Sequence, residues 1–332
     1  MKNILLIRFK AIGDVILTLP AVQAVRDNFP AAKITFLTSK ENAGLLRGFR
    51  EVNEVMALDR AALRSGNPLR VVPEFAGLLY RLRTGKFDLV VDFQGYGETA
   101  WITRITGARQ RWGIVYGKGR AWAYTRGVTR TETGDAQIAD ANLAILRLNG
   151  LVTAPVRNHF CLPADALAAA RNFFAEEKLD PARPTLYIQA FTSSPHKDWP
   201  LAKYLAVAAH FRAAGVQVIF CGGPRDVEAL RPAGQAGHVV ATGIPLLTAA
   251  GIVQLSTVII GGVTGLVHLA VAMQKRVVML VEEPAIERGL PYQHPDWIVA
   301  PDQNGALSAV ASEKVIAACR QAFNESGGSV SC

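Results

Sequence analysis

The chain has 332 residues, 50% apolar and 19% charged, which is the length of two ordinary domains and enough apolar mass for two cores, so intrinsic disorder is excluded. Its net charge of +9 is unevenly placed: residues 1–150 hold 22 Lys/Arg against 13 Asp/Glu, while residues 151–332 hold 14 against 14. The first half alone is therefore built to meet something anionic.

In chain order, Ile4–Ile7 reads as a buried first strand, cut off by Arg8 and Lys10 before it could serve as a signal-peptide core. A helical pattern follows over Asp14–Asn28, then a strand over Lys33–Thr38. Residues Ala61–Arg70 contain Gly66-Asn67-Pro68 and read as a loop, Pro73–Thr84 as a helix, Leu89–Asp92 as a strand, and Asp135–Asn149 as a helix ended by Gly150. Past Pro155 and Pro163 a short helix is expected over Asp165–Glu177, closed by Pro181 and Pro184. The alternation then restarts with strands at Thr185–Ala190, Val216–Cys221, Val239–Thr242, Thr257–Gly261 and Val277–Val281, and helices at Leu201–Gly215 and Leu266–Met273. Such alternation predicts two doubly wound α/β domains in tandem, over 1–155 and 185–332, with 156–184 as a linker region.

Cys161, Cys221, Cys319 and Cys332 form no CxxC pair, which argues against a disulfide framework or a cysteine zinc site and fits a reducing cytosol. No run of 18 apolar residues occurs, so any membrane contact is expected to be peripheral.

Ligands of open parallel sheets bind where strand ends turn into helix starts, because free N–H groups there favour anions. Four turns qualify. Arg8-Phe9-Lys10-Ala11-Ile12-Gly13-Asp14 has a glycine for a tight turn and an acid that either caps the helix or does chemistry. Phe191 to Pro200 offers Thr192, Ser193 and Lys197 as a phosphate cradle, with Pro200 at the first helical position, or is simply an exposed serine-rich loop. Gly261-Gly262-Val263-Thr264-Gly265 has paired glycines that permit close approach of a ligand, with His268 one turn further as either a packed core histidine or a ligand contact. Cys221 to Glu228 places Asp226 and Glu228 to meet ribose hydroxyls, or to decorate a first helical turn.

The sequence has no GxxxxGK[ST], DxD or HExxH pattern, so no phosphate-loop nucleotidase or metal site is expected. Gly95 to Ala100 matches GxGxxA, but no Asp or Glu lies between Glu98 and Glu132 to bind a ribose, which makes a dinucleotide oxidoreductase a weak alternative. That acid-free stretch holds Arg104, Arg109, Arg111, Lys118, Arg120, Arg126 and Arg130 among five Trp and Tyr residues. It suits an anionic lipid or a phosphorylated sugar, or is a solvated basic face, and in an α/β setting nucleic acid is not the expected partner.

Taken together, Gly13-Asp14-Val15-Ile16 with Leu19-Pro20, Phe87 to Gly95, Lys197-Asp198-Trp199-Pro200, Gly222-Gly223-Pro224 and Thr264 to Ala270 resemble the ADP-heptose:lipopolysaccharide heptosyltransferases of glycosyltransferase family nine. The resemblance runs through essentially the whole chain. It implies a GT-B fold of two Rossmann-like domains facing across a cleft, the first binding acceptor and the second binding nucleotide-sugar. It further implies inverting transfer of a heptose from an NDP-sugar, ADP-heptose foremost, to an anionic lipopolysaccharide inner-core acceptor. No cofactor or metal is implied, and the site is cytoplasmic, at the inner face of the membrane that carries the acceptor. By the same resemblance Asp14 is the base and Lys197 offsets charge on the leaving phosphate. Thr192, Ser193, Thr264, Gly265 and His268 are implied donor contacts, Asp226 and Glu228 ribose contacts, and Arg8, Lys10, Gly13, Arg109, Arg111 and Arg120 the acceptor side. Two places depart from the family pattern: Val263 stands where an Asp usually precedes Thr-Gly, and Val281-Glu282-Glu283-Pro284-Ala285 replaces a Gly-Pro-Thr stretch. A non-catalytic nucleotide-sugar binder of the same fold is the alternative these departures favour.

Overall fold

The computed structural model describes residues 1–134, 137–284, 287–302 and 305–326, except the side chains of Arg70 and Lys118. Asp135, Ala285 and Cys332 lie outside the described residues. The chain divides into two compact units, Met1–Asn158 and His159–Cys332.

The first unit runs β1 (Asn3–Ile7), α1 (Ile12–Ile16), α2 (Leu19–Asn28), β2 (Lys33–Ser39), β3 (Glu54–Leu58), α3 (Arg60–Arg64), α4 (Pro68–Thr84), β4 (Leu89–Asp92), α5 (Gly97–Ile105), β5 (Gln110–Val115), β6 (Arg126–Thr129), α6 (Arg130–Thr133) and α7 (Ile138–Arg147). Its strands form one parallel sheet in the order β3-β2-β1-β4-β5-β6. Helices cover parallel sheets, so β1 and β4 are buried on both faces, and this is why they read as unbroken apolar runs. Leu78 and Leu82 of α4 and Ile102 of α5 share one core cluster with Leu5, Ile7 and Val90 of the sheet.

The second unit runs α8 (Ala164–Glu176), β7 (Thr185–Gln189), α9 (Leu201–Ala213), β8 (Gln217–Gly222), α10 (Arg231–Gln235), β9 (Val239–Thr242), α11 (Leu246–Leu255), β10 (Val258–Gly262), α12 (Gly265–Ala272), β11 (Arg276–Leu280), β12 (Ile298–Val299) and α13 (Ser312–Glu325). Its parallel sheet is ordered β12-β11-β10-β7-β8-β9 around a core that includes Trp199, Tyr204, Phe211 and Phe220. Within the stretch expected as a linker, α8 packs on α11 of this unit. Gly251 makes that approach possible, since a Cβ there would lie 2.6 Å from the Ala166 carbonyl oxygen.

Several local expectations are corrected. The helix expected over Asp14–Asn28 is two helices, because Pro20 has no N–H to donate and is accommodated in the first turn of α2. The loop expected over Ala61–Arg70 is largely helical: Asp59 Oδ1 accepts from the Ala62 N–H at the start of α3, and Asn67 Oδ1 from the Leu69 N–H at the start of α4. Helix α4 therefore begins at Pro68 and carries Pro73 inside it. Pro200 precedes α9 rather than opening it.

Candidate functional site

In each sheet the strand order reverses once, between β1 and β4 and between β7 and β10. At such a reversal adjacent helices leave in opposite directions and open a crevice at the carboxyl ends of the strands. The turns after β1 and β4 meet at the first reversal, and those after β7 and β10 at the second.

At the first, Arg8 leaves β1 almost wholly buried; its guanidinium donates to the Phe93 carbonyl and pairs with Asp14 Oδ2 at 2.6 Å. Asp14 does not cap α1: Ala11 is the N-cap, and Asp14, the third helical residue, reaches back to accept from the Ala11 N–H at 3.1 Å. Among the described residues both contacts converge on Oδ2, leaving Oδ1 for another partner. The Phe9 and Lys10 N–H groups donate to Gln94 Oε1 at 3.2 and 3.3 Å, while Ser39 and Asn42 donate to the Phe9 carbonyl. Lys10 is exposed, and Gly13 sits between it and Asp14 on the first turn of α1. The Arg60 guanidinium lies 5.2 Å from the centre of the Phe9 ring and pairs with Glu98 at 2.7 Å.

Beneath this turn is a group that sequence reasoning did not single out. Asp92, fully buried at the end of β4, accepts from the Gln94 and Gly95 N–H groups and from the Tyr124 hydroxyl, the last at 2.7 Å. Burial pushes its carboxyl above the usual carboxylate range, and burial together with Asp92 pushes the Tyr124 hydroxyl upward. The available signal was an acid ending an apolar strand, Leu-Val-Val-Asp. Gly95 likewise serves this packing: it has φ +66°, and a Cβ would lie 2.4 Å from the Ile114 carbonyl oxygen. Its place in GxGxxA thus answers to the chain's own packing rather than to a pyrophosphate.

The basic stretch is divided by the sheet. Arg120 follows the carboxyl end of β5 and donates to the Gly95 carbonyl at 3.0 Å, which joins it to the first reversal point. Arg109 and Arg111 lie at the opposite, amino end of β5 and are not brought together with Arg8, Lys10 and Gly13. The Arg111 guanidinium is spent on the carbonyls of Ala108 and Ala123, and its pKa is lowered by burial and by Arg104 nearby. Of the three arginines expected on the acceptor side, it is Arg120 that the structure brings to the first reversal point.

At the second reversal, the Thr192 N–H donates to Asp198 at 2.7 Å and its hydroxyl to the Ser194 carbonyl, with Ser193 exposed between them. Lys197, on the short turn Pro195–Lys197, pairs with Glu287 at 3.3 Å. Both line a cavity of about 410 Å³ whose wall includes Val263, Glu282, Glu283 and Arg288. Thr264 caps α12, accepting from the Val267 N–H, and Gly265 opens the helix. His268 is buried one turn on, its N–H bonded to the Thr264 carbonyl at 3.1 Å. The paired glycines were expected to admit a ligand, yet a Cβ on Gly261 would lie 2.8 Å from the Gln189 carbonyl oxygen and one on Gly262 2.8 Å from the Thr192 methyl group. What they admit is the end of β7, at Gln189, and Thr192 of the turn that follows it. Asp226 and Glu228 do not decorate a helix: Asp226 Oδ2 closes a turn by accepting from the Gly223 N–H at 2.7 Å, and exposed Glu228 pairs with Arg231.

Cys161, Cys221 and Cys319 are buried free thiols. Among the described residues no helix is long and apolar enough to cross a membrane.

Comparison with known proteins gives concordant findings. The model of glycosyltransferase family 9 (heptosyltransferase) matches residues 76–315. The lipopolysaccharide core heptosyltransferase OpsX of Haemophilus influenzae is 22% identical over 311 residues, covering 90% of this chain and 84% of that protein. A glycosyl transferase family 9 structure from Veillonella parvula superposes with a TM-score of 0.87 at 20% identity, over 98% of this chain and 97% of the other. The Escherichia coli heptosyltransferase WaaC, solved with ADP, gives 0.78 at 19% identity, over 98% and 100%.

Proposed function

Since the chain belongs to glycosyltransferase family 9, we propose that it transfers a heptose from ADP-heptose to an anionic lipopolysaccharide inner-core acceptor, at the cytoplasmic side of the membrane. The observation that carries this reading is Asp14, fixed through one oxygen by a buried arginine at the strand reversal of the first unit. The donor and acceptor classes are supported by the relatives' names and by the ADP in a structural neighbour. In this reading the first unit holds acceptor through Arg8, Lys10, Gly13 and Arg120, and the second holds donor.

Asp14 Oδ1 takes the proton from an acceptor hydroxyl as that oxygen attacks the anomeric carbon. The carbon–oxygen bond to the diphosphate breaks on the opposite face, so configuration inverts and ADP leaves with the bonding electron pair. Lys197, the Thr264 hydroxyl and the Gly265 N–H at the start of α12 meet the charge that develops on the leaving phosphate, and Thr192 and Ser193 extend that cradle. His268 backs the start of α12, while Asp226 and Glu228 are the proposed ribose contacts. Fixed cations and helix-start N–H groups are here assigned the role that a metal ion plays in other transferases.

A second reading, a nucleotide-sugar binder without turnover, is favoured by one observation: Val263, Glu282 and Glu283 line the same cavity as Lys197, where carboxylates oppose a diphosphate. One experiment separates the two. Purified protein with lipid A-core acceptors and a panel of NDP-sugars should release ADP from ADP-heptose. Release from no donor ends the transferase reading, and tight donor binding by calorimetry without release selects the binder.

A further inference from the structure

Helix α4 is apolar on both faces. At about 100° per residue, Leu78 and Leu82 point into the core, while Leu69, Val72, Pro73, Ala76 and Tyr80 fall on the opposite side and Leu79 at its edge. All six are exposed, Leu69 by 84%, Val72 by 61% and Tyr80 by 70%. A surface helix ordinarily presents charged and polar residues there, and an apolar face that runs from Leu69 to Tyr80, with Arg83 following it at the far end, marks an interaction surface. Beside it, on the same face of the sheet, α5 turns Trp101 outward, edge-on to Trp122 at 4.6 Å; the two are 60% and 45% exposed. Tryptophan is the side chain most at home at a lipid–water boundary.

The charge around this face has one sign. Arg60 to Lys86 contains six Lys/Arg and a single acid, Glu74, whose Oε1 is occupied by the Asp59 N–H at 3.0 Å. Exposed Arg64 precedes α4, and exposed Arg83 and Lys86 stand at its far end.

We propose that the outward face of α4, flanked by Trp101 and Trp122, docks the protein flat on an anionic phospholipid bilayer. Its apolar side chains enter the acyl boundary while the arginines and Lys86 meet headgroup phosphates. Glu74, Arg81 and Arg83 make α4 a helix that lies in the surface rather than crossing it. A second copy of the chain is the poorer occupant, because a two-fold contact through this face would set the same cations against each other. Docking has a direction. Arg60, which opens α3 before α4, packs over Phe9 in the turn that carries Arg8 and Asp14, so the bilayer is placed beside that turn. The docking itself rests on the face of α4 and not on the role of Asp14.

The test is flotation of the full chain with vesicles of phosphatidylethanolamine and phosphatidylglycerol, against vesicles of phosphatidylcholine. The wild type should float with the anionic vesicles, and its Trp fluorescence should be quenched by brominated acyl chains. Leu69→Glu with Val72→Glu and Leu79→Glu changes only exposed positions, so its melting temperature should hold while vesicle partitioning falls by at least about tenfold. Arg83→Ala with Lys86→Ala should weaken binding and blunt its salt dependence. No flotation of the wild type, or full flotation of the triple variant, overturns the proposal. So does a concentration-dependent dimer that the triple variant abolishes, which would assign this face to a second copy.

Discussion

Arg8 and Asp14 meet at 2.6 Å across a single turn, the guanidinium buried and the carboxylate 29% exposed. Burying one partner fixes the geometry, while exposing the other lets a substrate hydroxyl reach it. Asp14→Asn should keep the Ala11 contact, since an amide oxygen also accepts. It loses the ion pair, at a cost of about 1–2 kcal/mol because solvent screens the exposed side. Turnover should fall by roughly 10²–10⁴-fold. Steady-state rates beside thermal melts check this, and unchanged turnover in a folded variant would leave Asp14 as a turn-closing residue only.

Lys197 is already engaged by Glu287, so an arriving diphosphate competes with a carboxylate for the same ammonium. Lys197→Ala should lower kcat by about 10²-fold or more. Glu287→Gln should act in the opposite sense on binding, tightening the donor by roughly two- to fivefold, the scale of a partly exposed ion pair. Donor titrations of both variants decide it; weaker donor binding in Glu287→Gln would mean that Glu287 orients the lysine rather than occupying it.

The pH dependence of stability should carry the mark of Asp92. Burial raises its folded-state pKa above the ordinary value of 3.8. The native state therefore keeps this proton to higher pH than the unfolded chain does, and this group's contribution favours folding at low pH and is lost as pH rises from 3.8 through the folded value. Asp92→Asn keeps an acceptor for the Gln94 and Gly95 N–H groups and removes the titration. Melting curves from about pH 4 to about pH 7 should show a smaller decline in the variant than in the wild type. Asp92→Ala should cost about 3 kcal/mol or more, because two buried N–H groups and the Tyr124 hydroxyl lose their acceptor.

These predictions depend on residues that were unequally legible in the sequence. Strands such as Thr185–Gln189 and Leu89–Asp92 are buried on both faces, and a doubly buried strand announces itself as an apolar run. Gln110–Val115 does not announce itself as a strand because its residues answer to partners beyond it: Arg111 bonds the Ala108 and Ala123 carbonyls, and Gly113 is a glycine because the Tyr124 ring lies 2.4 Å from where a Cβ would be. Asp14 and Lys197 stand out as candidates because turns from strand ends into helix starts have a local signature, while the roles proposed for them come from the family resemblance. Asp92 does not stand out, since its partner Tyr124 lies 32 residues away. The apolar outer face of α4 is hard to see in the sequence, because Gly66-Asn67-Pro68 reads as a loop and separates Leu69 from the helix that carries it.

The arginines of the basic stretch should separate by experiment as they do in the sheet. Arg120 touches the turn that carries Gly95 and lies at the carboxyl end of the strands, where an anionic acceptor is proposed. Arg120→Ala should raise the acceptor KM, and raising salt from 0.1 M to 1 M should do the same in the wild type, because the Debye length contracts from about 10 Å to about 3 Å. Arg111 lies at the other end of β5 with its guanidinium committed to two backbone carbonyls. Arg111→Ala should therefore leave acceptor KM alone and lower stability by about 1–3 kcal/mol, as two carbonyls lose a charged donor. If Arg111→Ala instead raises the acceptor KM at unchanged stability, the acceptor reaches the amino end of the sheet, and the assignment of the anion site to the strand reversal fails. If Arg120→Ala and salt both leave the KM unmoved, the excess positive charge of the first unit serves something other than the acceptor, and the bilayer proposed beside α4 is the anion left to account for it.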